Sequence, residues 1–217
     1  MAFTDDLRAA ASEQWDRVVH HRFTNELANN TIDRTVLLHY LIQDHRFLDS
    51  FVILLASMIA HCQSLKDRIP GCQFLAVITS DENTYFERAL TELDTANIRS
   101  SVPDAPCTTN FCALMREAAS SGSLGEMLAV LVVCEWSYMT WGERVAPTTV
   151  RQDFVTYEWV DLHSGADFRG VVAYLRGLLD KEGETMTEEE KRKCKERFLQ
   201  AVAYEENFFD HFYEQKL

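Results

Sequence analysis

Apolar residues along this chain return every three or four positions, the spacing that places them on one face of an α-helix. Over 35–61 the series Val36, Tyr40, Leu41, Phe47, Leu48, Phe51, Leu55 and Met58 predicts a core-facing helix, with Thr31 or Asp33 placed to cap it. Pro70-Gly71 then predicts a break, and Phe74, Val77, Ile78, Phe86 and Leu90 predict a helix over 74–93. The segment 99–109 holds two of the four prolines and reads as a loop that includes Cys107, followed by a short helix over 110–120. Ser121-Gly122-Ser123 introduces a strongly apolar helix over 124–145; Pro147 resets the chain, and helices are expected over 149–162 and 167–181. The acidic run Glu188-Glu189-Glu190 suits the positive end of a helix dipole and opens a last helix reaching about Phe212. No stretch alternates as a strand would, and neither an internal repeat nor a Gly/Ser-rich linker interrupts the pattern. The expectation is an all-α bundle of seven or eight helices in a single domain over 1–217.

Three acids break the apolar stripes. Asp44 has Tyr40 and Leu41 one turn before it and Phe47, Leu48 and Phe51 after it. Glu205 lies between Ala201-Val202 and the aromatic residues Phe208, Phe209 and Phe212. Glu135 is the only charged residue between Met127 and Trp141, and Cys134 precedes it on a stripe with Val130, Leu131, Tyr138 and Trp141. Side chains three and four apart share a helix face, so these acids are expected to point into the bundle or to lie at its margin. Burying an unpaired carboxylate costs several kcal/mol, so each must be paired, protonated or turned toward a wet pocket. One reading has each acid bonded to a buried Tyr, Trp or Arg and fixing helix register. Three acids on three helices beside a thiol favour the other, a shared pocket.

Composition narrows the classes. Hydrophobic residues make up 47% of the 217, enough for a core with space left for a cavity, and a net charge of -13 argues against a nucleic-acid surface. No basic-then-apolar leader is visible, and the longest apolar runs, near 51–60 and 127–133, fall short of the roughly 20 residues that span a bilayer. Six scattered cysteines without a CxxC pair support neither a zinc site nor a redox motif, which suits a reducing cytoplasm. Di-iron chemistry on a helical bundle uses Glu-x-x-His pairs; the residues three before the seven histidines are Arg17, Val18, Val36, Ile42, Met58, Val160 and Phe208. None is an acid. His20 and His21 remain candidates to cap a helix, to line a pocket or to serve as axial ligands. Trp136, Trp141 and Trp159 read as core.

The order His20-His21-Arg22-Phe23, Tyr40-Leu41-Ile42-Gln43-Asp44, Cys134-Glu135-Trp136-Ser137-Tyr138 and Tyr204-Glu205 with Phe208-Phe209 resembles the TenA family from end to end. The resemblance implies a haem-oxygenase-like helical fold, a homotetramer, and hydrolysis of thiamin or its aminomethylpyrimidine breakdown products to hydroxymethylpyrimidine for thiamin salvage. It implies a small-molecule pyrimidine substrate and no redox or metal cofactor. By position Cys134 matches the family nucleophile, Glu205 the acid near the leaving group, Asp44 the acid that pairs with the pyrimidine, and Tyr138 a tyrosine one turn from the cysteine. Phe47 and His163 stand where the family often has tyrosines, which changes the hydroxyls offered to a substrate. Glu135 resembles a branch that works with a glutamate, so the resemblance leaves open whether Cys134 or Glu135 is the key catalytic group. A ligand-binding or regulatory relative, and a haem or metal oxygenase on the same fold, are the alternative readings.

Overall fold

The computed structural model describes residues 2–214. In chain order the α-helices are α1 (Phe3–Ala10), α2 (Ser12–Val19), α3 (Arg22–Ala28), α4 (Arg34–His61), α5 (Leu65–Val77), α6 (Asn83–Leu93), α7 (Pro106–Ser120), α8 (Leu124–Val145), α9 (Phe154–Leu162), α10 (Gly165–Gly183) and α11 (Glu188–Glu214). A π-helical turn, Ile78–Glu82, joins α5 to α6, and a short 3-10 turn, Ala146–Thr148, follows α8. Among the described residues there is no strand.

Helix α8 is the axis of the bundle. Every residue from Met127 to Tyr138 is buried, as an all-round apolar helix requires. Helices α10 and α11 pack along it, α2, α4 and α7 flank it, and α4 in turn carries α5, α6 and α7. Leu128 and Leu131 of α8 meet no solvent, nor do Phe198 and Phe209 of α11. Each such side chain contributes roughly 1.5–3 kcal/mol by leaving water.

Caps fix the helix starts. Asp33 accepts from the Thr35 N–H at 2.7 Å, so it, and not Thr31, caps α4. Thr187 and Glu190 close a reciprocal box at the head of α11: the Glu190 carboxylate accepts from the Thr187 N–H at 2.7 Å, and the Thr187 hydroxyl accepts from the Glu190 N–H at 3.3 Å.

The structure departs from the expected outline in four places. Three short helices, α1 to α3, precede Arg34, where no helix was read. Pro70-Gly71 does not break the chain but lies inside α5. A Cβ on Gly71 would sit 2.8 Å from Ile59 Cγ1 and 3.0 Å from the Tyr174 hydroxyl, so this glycine permits close helix approach and is not a turn residue. Helix α7 starts at Pro106, four residues before the expected 110, with the proline at the first helical position where its missing N–H is no loss. Cys107 is therefore a buried helical residue and not a loop thiol. Finally, 149–153 precede α9, whose cap is Asp153.

Candidate active site

One cavity, with about 470 Å³ of empty space counted to its mouth, lies among α4, α8, α9, α11 and the π turn. Asp44 and Phe47 enter it from α4, Cys134, Glu135 and Tyr138 from α8, His163 from the end of α9 and Glu205 from α11. All seven residues singled out from the sequence thus share one space. Phe51, Phe111, Trp159 and Phe208 supply flat apolar walls, a surface suited to a planar ring.

Asp44, Cys134, Glu135 and Glu205 are only 8%, 5%, 7% and 3% exposed, so each carries a large desolvation penalty when charged. Burial pushes Asp44 up to about 7, against which a hydrogen bond from Tyr40 acts weakly. The Tyr40 and Tyr138 hydroxyls lie 2.8 Å apart. The two tyrosines are thus linked to each other one turn before Asp44 on α4 and one turn after Cys134 on α8.

Glu205 and Cys134 form the second polar unit. Cys134 and Glu205 line the same cavity, and Oε1 of Glu205 is buried without a hydrogen-bond partner among the described residues. Burial, then the Asp44 charge, raises Glu205 well above the usual carboxylate range. Burial, then the charges of Glu205 and Glu135, raises the thiol well above its ordinary value, so it rests protonated beside an acid. Glu135 is raised by burial and then by Glu82, Glu205 and Asp44, with no hydrogen bond among the causes.

His163 is held from two sides. Its Nδ1 donates to the Trp159 carbonyl at 2.8 Å, which leaves Nε2 as the acceptor nitrogen of a neutral ring. Burial lowers its pKa to about 4, so that ring stays neutral near pH 7. Gly142 of α8 abuts the same residue: a Cβ there would sit 2.3 Å from the His163 carbonyl oxygen. Where a tyrosine would offer a hydroxyl, this chain offers a neutral imidazole nitrogen, and at Phe47 nothing polar.

The reading that each acid merely bonds a buried Tyr, Trp or Arg holds in part for Asp44. It fails for Glu135, and among the described residues no Arg or Lys lines the cavity. His20 and His21 do not line it either. His20 is exposed; His21 caps α3, accepting from the Phe23 N–H at 3.1 Å, and its Nε2 lies 3.1 Å from Asp210. The cavity acids are spread around its walls, and among the described residues no three His, Cys, Asp or Glu side chains group closely enough to hold a metal ion.

Glu82 was not singled out from the sequence, yet it lines the cavity and is pushed up to about 8 by burial and the Asp44 charge. Its signal was present. Phe74, Ile78, Glu82, Phe86 and Leu90 recur at four-residue steps, and on an α-helix such a series drifts about 40° per step. The π turn at Ile78–Glu82 takes up that drift and lets both Ile78 and Glu82 reach the cavity. Trp159, read as core, is buried and also forms part of the wall.

Comparison with known proteins places this arrangement. The profile of the TENA/THI-4/PQQC family matches residues 8–215. The aminopyrimidine aminohydrolase of Bacillus subtilis is 25% identical over 218 residues, spanning 100% of this chain and 92% of its own length. A TenA homologue from Pyrococcus furiosus superposes with a TM-score of 0.86 at 23% identity, covering 97% of this chain and 100% of its own. Haem oxygenase-1 from the cyanobacterium Synechocystis shares the fold more loosely, with a TM-score of 0.59 at 14% identity over 97% of this chain and 92% of its own. The bundle is haem-oxygenase-like in fold, and by the match over nearly its whole length the chain belongs to the TENA/THI-4/PQQC family.

Proposed function

We propose that the protein is a hydrolase that replaces the amino group of an aminomethylpyrimidine with water, yielding hydroxymethylpyrimidine for thiamin salvage. The observation that carries this reading is the thiol of Cys134 sharing an acidic, aromatic-walled cavity with Glu205. The names of the similar enzymes point the same way.

The residues suit the chemistry. With Glu205 in its carboxylate form, Cys134 gives its proton to Glu205 as sulfur adds to the electron-poor ring, so thiol activation and charge neutralisation are one event. The exocyclic C–N bond then breaks, and Glu205 returns the proton to the leaving amine. Water adds at the freed methylene carbon, passing a proton to Glu205. The C–S bond breaks and sulfur recovers that proton, leaving the alcohol and ammonia. Asp44, poised near neutrality, holds the ring nitrogen and makes the ring a better electrophile. Tyr138 supports Asp44 through Tyr40. Phe47 packs edge-on against Phe111 with centroids 5.0 Å apart and bounds the ring slot, while His163 offers Nε2 as an acceptor. Glu135 is the competing candidate, as activator of water in a route without a covalent adduct.

The test is turnover of aminomethylpyrimidine, its N-formyl derivative and thiamin in parallel, followed by product release. Hydroxymethylpyrimidine from one or more supports the proposal. Tight binding of all three without turnover would favour the ligand-binding relative. Cytoplasmic location and a tetramer belong to the same reading; the latter is checked by sedimentation. Among the described residues no helix is long and apolar enough to cross a membrane.

A further inference from the structure

Glu82 lines the same cavity as Cys134 and Glu205, and the mechanism above gives it no role. Glu82 arrives from the π turn ahead of α6, whereas Glu205 arrives on α11, so the two acids enter on different elements. Glu135 reaches in from α8, 7% exposed and without a hydrogen bond to any described residue, an unpartnered group facing the space. Of the charges that bear on Glu135, that of Glu82 is the strongest, ahead of Glu205 and Asp44.

Among the described residues no cation balances these acids: the lining holds Asp44, Glu82, Glu135 and Glu205 but no Lys or Arg, and His163 stays neutral. A fold gains nothing from leaving two like acids unpaired in one cavity, since each is destabilised by burial and by the other. A bound positive charge removes both penalties together, and an anionic or phosphorylated ligand compounds them.

We infer that Glu82 and Glu135 form a cation-binding pair in the cavity, which selects flat, unphosphorylated amino-heterocycles in their protonated, amidinium-like form. The inference rests on the hydrolase reading only for its natural substrate, an aminopyrimidine; the charge selectivity is a property of the cavity itself. Glu82 is then a specificity-determining residue that holds the substrate's donor edge while Cys134 and Glu205 act on the reacting bond.

Benzamidine, a flat aromatic amidinium, and benzamide, its neutral near-isostere, separate charge from shape. Calorimetric titration of the intact protein with each is the experiment, with Glu82→Gln and Glu135→Gln beside the wild type. The expected result is a preference for benzamidine of at least about tenfold, the scale of one charge-assisted hydrogen bond, that collapses in either variant. Both variants are expected to fold, because each removes a buried like charge; circular dichroism and melting check this, and Glu82→Asp should restore part of the preference. Equal binding of the two probes, or no binding of either, overturns the inference, as does a Glu82→Gln protein that keeps the preference. Turnover distinguishes the two proposals: a Glu82-dependent charge preference without hydrolysis of any aminopyrimidine sinks the hydrolase reading alone. Hydrolysis with KM unchanged in Glu82→Gln sinks this one alone.

Discussion

The surface and the cavity treat acids in opposite ways. On the surface carboxylates sit beside guanidinium groups: Glu158 takes Arg88 at 2.8 Å, Asp161 takes Arg151 at 2.6 Å, and Glu189 takes Arg192 at 2.7 Å. Where a shift is resolved there, as for Glu189 and Glu87, the hydrogen bond from an arginine holds the carboxyl below its ordinary value. In the cavity four acids share one space with no guanidinium, and every one is raised, burial first among the causes. Exposed pairs add little to stability because water already solvates both partners. The buried acids subtract from it. The contrast supports the proposal that the interior acids are kept for a ligand and not for the fold.

The largest expected effect lies at the thiol. Cys134→Ser should abolish hydrolysis of an aminopyrimidine while Glu135→Gln only impairs it; the reverse pattern would identify Glu135 as the water activator and remove the covalent step. If both variants stay active, the cavity acids are not a catalytic set at all and the contrast with the surface loses its meaning. Next comes Glu205→Gln, expected to lose at least about 100-fold in kcat, the scale of a general acid-base group. An unchanged pH–rate profile in that variant would assign its buried charge to structure.

Asp44→Asn sharpens the comparison through stability. Its folded-state pKa of about 7 stands above the ordinary 3.8, so the folded state binds more protons across that window and stability falls as pH rises through it. About three units at 1.36 kcal/mol each give roughly 4 kcal/mol by pH 8. The variant should therefore melt higher than wild type at pH 8, with the gap closing toward pH 4, while losing affinity for the pyrimidine. A more stable and equally active Asp44→Asn would place Asp44 outside the binding machinery. The smallest effect is on the surface: Arg88→Gln, which removes the partner of Glu158, should leave melting temperature and kcat/KM within experimental scatter.

Much of this division was legible in the sequence because charge inside an apolar period is conspicuous. Glu135 stands alone in the run from Met127 to Trp141, and Asp44 and Glu205 interrupt aromatic stripes, so all three declared themselves. Glu82 did not, because its neighbours Asp81, Asn83 and Thr84 are polar, and its four-residue series with Ile78 and Phe86 reads as a cavity wall only once a π turn holds it in phase. Helices α1 to α3 were missed for a different reason. Each has seven or eight residues, about two turns, too few for periodicity to rise above composition. Pro70-Gly71 and Pro106 misled in a third way, through residue types that end helices in isolation. Tertiary approach at Gly71 and position at the helix head for Pro106 overrode that preference.

Trp159 gives the cavity an optical consequence. Of the four tryptophans it alone lines the space; Trp15 and Trp136 pair edge to face 5.1 Å apart, and Trp141 is fully buried beside Tyr138. The Trp159 ring lies stacked on Tyr85 at 5.1 Å. A heterocycle entering the cavity changes the polarity and quenching seen by this one indole and leaves the other three as a constant background. The protein thus carries its own fluorophore at the site, and occupancy becomes readable as intrinsic emission, without a label and before any bond is broken.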